Sequence, residues 1–289
     1  MGTAVRQGLL TSAAKLASGL GDRRLRIIDC RFDLMAPRAG REAYLEGHIP
    51  GAVYADLDTD LSGPITPDSG RHPLPDVADA EAAFSRLGID ADVDVVCYDD
   101  AGGAIASRAW WLLRWLGHHN VTVLDGGLTA WLARGLPLVT GEQDVAPRHF
   151  RGVEDPGRVL ITTEISVGPE GTGGCLLVDA RDAARFRGEV EPIDARAGHI
   201  PGTLNLPFAD CLKEDGTWLD GVSLRQLLEP LLGDDESVPW SVMCGSGVTA
   251  CHLAISGLLA GYSEPRVYIG SWSEWIRDPS RAVGSMTAM

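Results

Sequence analysis

The sequence predicts an α/β fold of two tandem domains, each a mostly parallel β-sheet flanked by helices on both faces. Three observations lead there. The chain has 289 residues, enough for two domains of ordinary size. It contains an ordered internal repeat. Short apolar runs alternate with stretches of helical spacing, the signature of a covered parallel sheet.

The repeat rests on three pairs of segments. Ile27-Ile28-Asp29-Cys30-Arg31 returns as Leu177-Val178-Asp179-Ala180-Arg181. Gly47-His48-Ile49-Pro50-Gly51 returns as Gly198-His199-Ile200-Pro201-Gly202. Asp125-Gly126-Gly127-Leu128-Thr129-Ala130-Trp131 is matched by Ile269-Gly270-Ser271-Trp272-Ser273-Glu274-Trp275. Position 29 maps to 179 and 131 to 275, offsets of 150 and 144 in unchanged order. That is a domain duplication, with a first domain at 1–140, a polar, turn-rich linker at 141–158 and a second domain at 159–289.

In the first half, Leu25–Asp29, Val93–Tyr98 and Val121–Leu124 read as buried strands. Asp79–Leu87 and Ala104–Leu116 carry helical spacing. The second half repeats the pattern. Its strands are Leu176–Asp179, Val238–Cys244 and Arg266–Ile269, and its helices Leu224–Leu232 and Val248–Leu259. Trp110, Trp111, Trp115, Trp131, Trp272 and Trp275 are expected to pack the cores. His48 and His199 recur in both halves, which points to a structural role, with side chains bonding across the turn.

Hydrophobic residues make up 45% of the chain, enough for packed cores, and the net charge is −15. Such a surface repels nucleic acid and anionic lipid, so no nucleic-acid or membrane partner is expected. An anionic substrate would need a local positive pocket. Arg6 and Lys15 interrupt the start of the chain, leaving no signal-peptide core, and no apolar run of about 18 residues occurs. The six cysteines, Cys30, Cys97, Cys175, Cys211, Cys244 and Cys251, form no C-x-x-C pair and no ligand cluster. A reducing compartment, the cytoplasm, is expected, with no metal or organic cofactor.

One cysteine differs from the rest. Cys244 ends a strand, where α/β sheets gather function, and precedes Gly245-Ser246-Gly247-Val248-Thr249-Ala250 at the start of a helix. Two glycines let the backbone turn tightly, and successive amides can then face the sulfur. The positive helix end adds to this, favouring thiolate and stabilising a negatively charged persulfide. Cys97 and Cys251 read as buried and inert, Cys30 and Cys175 border strands, and Cys211 lies in a connection.

The Cys244–Ala250 loop resembles the active-site loop of 3-mercaptopyruvate sulfurtransferases, members of the tandem rhodanese family. The two Gly-His-Ile-Pro-Gly segments and Gly270–Trp275 resemble that family's other signatures, so the likeness covers nearly the whole chain. It implies two rhodanese-like domains, only the second catalytic. In agreement, Asp99 stands in the first half where Cys244 stands in the second, and Asp99–Ala104 has no thiol.

The resemblance also implies site roles. Cys244 is the nucleophile, with Gly245, Gly247, Val248 and Thr249 lining the substrate. Arg185 resembles the arginine that grips the donor's carboxylate or sulfonate, and Arg196 is the only match to a second one in a shorter segment. Ser246, His72 and Asp58 resemble a relay: serine toward substrate, histidine polarising serine, aspartate orienting histidine. The implied partners are a small anionic sulfur donor and a thiol or thioredoxin-like acceptor. Gly245 and Ser246 are neutral where thiosulfate-type members carry basic residues, which favours 3-mercaptopyruvate over thiosulfate. Two other classes fit less well. A tyrosine-phosphatase-like clamp needs an arginine where Ala250 stands, and a non-catalytic sulfur-sensing module would lack the nucleophile that Cys244 supplies.

Overall fold

The structure, a computed structural model, describes residues 8–167 and 176–285. Cys175 lies outside the described residues. The chain divides into two compact units. The first comprises Met1–Gly63, Pro75–Asp155 and Leu212–Trp218, and the second Pro64–Leu74, Pro156–Cys211 and Leu219–Met289.

The first unit runs β1 (Leu10–Thr11), α1 (Ala13–Gly19), β2 (Leu25–Asp29), α2 (Ala39–Glu46), β3 (Ala52–Tyr54), α3 (Val77–Arg86), β4 (Asp94–Tyr98), α4 (Ala106–Trp115), β5 (Val121–Leu124) and α5 (Gly127–Ala133). Its strands pair in the order β1-β5-β4-β2-β3, all parallel. The second unit runs β6 (Val159–Leu160), β7 (Leu176–Asp179), α6 (Ala183–Arg187), β8 (Leu204–Asn205), α7 (Gly221–Leu232), β9 (Trp240–Met243), α8 (Thr249–Ala260), β10 (Arg266–Tyr268) and α9 (Ser271–Trp275). Its order, β6-β10-β9-β7-β8, is the same topology, again parallel. The duplication read from the motifs is thus a duplication of sheet and helices.

The central strands lie where the apolar runs predict them, because a strand buried on both faces needs continuous apolar sequence. β9 is buried at every residue. It starts at Trp240 rather than Val238, behind Pro239, and ends one residue short of Cys244, which places the cysteine in the loop. α7 starts at Gly221, three residues before the expected Leu224, because the Asp220 side chain accepts the Val222 and Ser223 N–H groups as an N-cap. Each core closes on its tryptophans. Trp131 packs with Ile27, Val96 and Leu124 in one, and Trp272 and Trp275 pack with Leu177 and Met243 in the other.

The repeated Asp-x-Arg has a clear structural purpose. Arg31 pairs with buried Asp29 through Nη2 at 2.7 Å and donates from Nη2 to the Gly47 carbonyl at 2.8 Å. Arg181 does the same with Asp179 at 2.7 Å and the Gly198 carbonyl at 2.8 Å. In both units a buried ion pair therefore clamps the start of the Gly-His-Ile-Pro-Gly turn. Losing one partner of such a pair costs about 3–5 kcal/mol. The histidines correct one expectation. Rather than bridging the turn, His48 Nδ1 bonds the Tyr44 carbonyl and His199 Nδ1 the Phe186 carbonyl, both 2.8 Å. Each ring stacks on the aromatic ring of that same residue at 4.1 Å, so the imidazole ties the turn to the preceding helix.

Residues 141–155 belong to the first unit. Phe150 is buried there, and Arg148, Val153 and Asp155 donate main-chain N–H groups to Ser85, Leu116 and Trp115 carbonyls. No helix among the described residues is long and apolar enough to cross a membrane, and no His/Cys/Asp/Glu group among them could hold a metal ion.

Candidate functional site

Cys244 leaves the carboxyl end of the central strand β9, and four residues separate it from α8. Gly247 makes the turn possible. Its φ is +75°, and a Cβ there would stand 2.4 Å from the Ile269 carbonyl oxygen, so only glycine fits. The result is a sulfur with an amide aimed at it: Gly247 N–H donates to Cys244 Sγ at 3.1 Å. Cys244, Ser246 and Val248 are buried, and Thr249 is half-buried. The thiol of Cys251 turns away, donating to the Gly247 carbonyl at 3.3 Å.

A second segment holds this loop from behind. Trp272 N–H donates to the Cys244 carbonyl at 3.1 Å and Ser273 N–H to the Gly245 carbonyl at 2.9 Å. Ser271 Oγ accepts the Cys244 N–H at 3.0 Å and donates to the Tyr268 carbonyl at 2.7 Å. Ser271 has φ +52°, the one positive value at a non-glycine among the described residues. That conformation costs about 1–2 kcal/mol for an L-residue. The hydroxyl's grip on the Cys244 amide is what the side chain supplies in return.

A third segment, Pro64–Leu74, belongs to the same unit. A Cβ on Gly70 would meet the Gly270 carbonyl oxygen at 2.6 Å, so glycine permits the close docking. Arg71 N–H then donates to Ser273 Oγ at 3.0 Å. The next side chain, buried His72, reaches Ser246, with Nδ1 to Oγ at 2.7 Å. The structure thus brings together Cys244, Ser246 and His72.

The arginines differ in what they reach. Arg185, on α6, has two guanidinium nitrogens 3.8 Å from where a Gly245 Cβ would stand. The same guanidinium pairs with Glu191 at 2.8 Å and Asp194 at 3.1 Å. Burial alone would raise the Glu191 carboxyl, but the Asp194 N–H, Arg185 and the Ile193 N–H outweigh it and hold the group below its ordinary range. Arg71, which sequence reasoning passed over, brings Nη2 within 3.2 Å of the same Gly245 position and pairs with the same Asp194. Arg196 offers its main-chain carbonyl to Trp272 Nε1 at 2.9 Å and makes no hydrogen bond or ion pair to the loop among the described residues. Asp58 lies in the first unit, exposed, in a pocket with Arg38, Arg41, Asp60 and Arg86. Loss of water there and the charge of Asp56 push its carboxyl above its ordinary range.

The equivalent loop of the first unit ends β4 with buried Asp99. Its carboxylate accepts four main-chain N–H groups, from Ala101, Gly103, Ile105 and Ala106, at 2.8–2.9 Å. Leu128 N–H holds the Asp99 carbonyl at 2.8 Å, as Trp272 holds that of Cys244. A loop of this kind is an anion cradle in both units, filled in one by its own carboxylate and offered in the other to a sulfur.

Similarity to known proteins agrees with this geometry. The family model for the rhodanese-like domain matches residues 12–134 and again 169–278. A Pseudomonas aeruginosa protein described as a "probable 3-mercaptopyruvate sulfurtransferase" is 48% identical over 281 residues, covering 96% of this chain and 98% of the relative. The thiosulfate sulfurtransferase of Gallus gallus is 35% identical over 255 residues, 87% of this chain and 86% of the relative. The crystal structure of SseA from Escherichia coli, described as a 3-mercaptopyruvate sulfotransferase, superposes with a TM-score of 0.79 at 32% identity, covering 91% of this chain and 98% of that one. With two matching domains, a shared topology and relatives that span its length, the chain belongs to the rhodanese family.

Proposed function

We propose that this protein is a sulfurtransferase that carries sulfane sulfur from 3-mercaptopyruvate to a thiophilic acceptor as a persulfide on Cys244. The observation that carries the reading is the Gly247 N–H aimed at Cys244 Sγ with the His72–Ser246 pair beside it. In the first step Cys244 thiolate attacks the donor sulfur, the carbon–sulfur bond breaks, and the carbon fragment leaves as pyruvate enolate, which takes a proton. Ser246, polarised by His72, helps that proton move. In the second step cyanide, a small thiol or a thioredoxin-like protein takes the outer sulfur and returns Cys244 to thiolate. Main-chain N–H groups favour negative charge on sulfur in both steps.

Arg185 and Arg71 are assigned to the donor's carboxylate. The second grip goes to Arg71 rather than Arg196 because Arg71 reaches the loop. The same two guanidiniums give thiosulfate, a dianion, a specific claim as alternative donor. Against it, Glu191 and Asp194 already offset both positive charges, which suits a monoanionic donor better. The cytoplasm, a reducing compartment, suits an acceptor thiol and a free Cys244. Comparing kcat/KM for the two donors tests the reading. A clear preference for 3-mercaptopyruvate is expected, and a preference for thiosulfate would overturn the donor assignment.

A further inference from the structure

Beside the loop, within the second unit, lies a cavity of about 380 Å³ that shares Arg71 with the donor grip and that the acceptor step as described leaves unassigned. It is walled by Arg71, Ile193, Asp194, Ser273, Ile276 and Arg277. Two of these walls also touch the loop. Ser273 N–H holds the Gly245 carbonyl at 2.9 Å, and Arg71 Nη2 lies 3.2 Å from the Gly245 Cβ position. Arg71 and Ser273 therefore border both the cavity and Gly245, the residue after Cys244. Its volume equals about a dozen waters, far more than cyanide needs and enough for a small peptide-sized ligand.

The charges in the cavity do not cancel. Arg71 is offset by Asp194. Arg277 is exposed, donates Nε to the Ser69 carbonyl at 3.1 Å, and has no carboxylate partner among the described residues. In a chain of net charge −15, this is the local positive site that an anion requires. Ile193 and Ile276 add an apolar wall beside it. The combination fits a ligand with a short aliphatic stem and a carboxylate at its far end.

Building on the persulfide reading, we propose that this cavity is the acceptor subsite and selects small thiols that carry a carboxylate several bonds from the sulfur. Arg277 grips the carboxylate while the acceptor thiolate attacks the outer sulfur of the Cys244 persulfide. A new S–S bond forms to the acceptor, the bond to Cys244 Sγ breaks, and its electron pair returns Cys244 to thiolate.

The test uses the full chain with saturating donor and two acceptors, glutathione and cyanide, in wild type, Arg277→Ala, Arg277→Glu and Arg277→Lys. The ratio of kcat/KM for glutathione to that for cyanide is expected to fall about tenfold in Arg277→Ala and further in Arg277→Glu, and to recover in Arg277→Lys. An unchanged ratio in both Arg277→Ala and Arg277→Glu would overturn the subsite, as would an equal loss for both acceptors. A wild type that gains no sulfur from the donor would instead bring down the persulfide reading, so the two failures are told apart.

Discussion

Asp99 and Cys244 occupy the same place in two copies of one fold, and the comparison separates structure from chemistry. Both follow the central strand, and both have their carbonyl held by the second residue of the last helix, Leu128 or Trp272. Asp99 fills its loop with a carboxylate that accepts four N–H groups. Cys244 leaves its loop less satisfied, with a sulfur bonded by one amide and a polar pair nearby. The cradle is therefore a property of the fold, and the chemistry comes from what the cradle is denied. A loop that satisfies itself has nothing left to offer a substrate.

Removing the two side chains should separate these cases most sharply. Asp99→Ala strands four main-chain donors, those of Gly103 and Ala106 buried, and is expected to lower the unfolding free energy by about 3–5 kcal/mol. Cys244→Ala loses one weak sulfur acceptor and is expected to cost only about 1 kcal/mol. Urea unfolding of both variants gives the answer, and equal losses would dissolve the contrast.

The last turn offers a finer comparison. Gly127 has φ +54° in the first unit, and Ser271 has φ +52° at the matching position in the second. The first copy relieves the backbone with glycine, and the second accepts strain to place a hydroxyl on the Cys244 amide. Ser271→Gly is expected to gain about 1 kcal/mol of stability while losing roughly tenfold in turnover. Thermal unfolding together with steady-state kinetics would show stability and activity moving in opposite directions. A variant as active as wild type would make the hydroxyl irrelevant.

The smallest expected effect concerns the acidic residues around Arg185, a network described only for the second unit. Glu191 is held below its ordinary range in the folded state, so it binds fewer protons there than when unfolded. Its contribution to stability is present above the ordinary carboxylate value of about 4.3 and fades as pH falls through the lower folded value. Wild type should therefore lose stability more steeply than Glu191→Gln in that acid window. Parallel profiles from denaturant unfolding between about pH 5 and pH 2 would remove Glu191 from the network.

Much of this was legible in the chain. β2, β5 and β7 span the residues their apolar runs indicate, and the Cys244 loop was identified by its glycines. The edge strands β1, β3, β6 and β8 were not, because two or three residues carry no periodicity. His72 and Ser246 meet, though 174 positions part them. Arg71 stayed hidden beside His72, since nothing local says that Gly70 lets its segment dock against Gly270. Ser271 was visible as part of a repeated motif, but its use of a positive φ is a fact of backbone geometry.

The central claim is that Cys244 alone among these thiols carries sulfur. Burial pushes the Cys211 thiol up to about 12 and raises that of Cys30 well above its ordinary value, so both are poor nucleophiles near neutrality. Intact mass after treatment with 3-mercaptopyruvate, without acceptor, measures this directly. Wild type should gain one sulfur atom and lose it to cyanide, and Cys244→Ser should gain none. A gain that persists in Cys244→Ser, or its absence from wild type, would contradict the account.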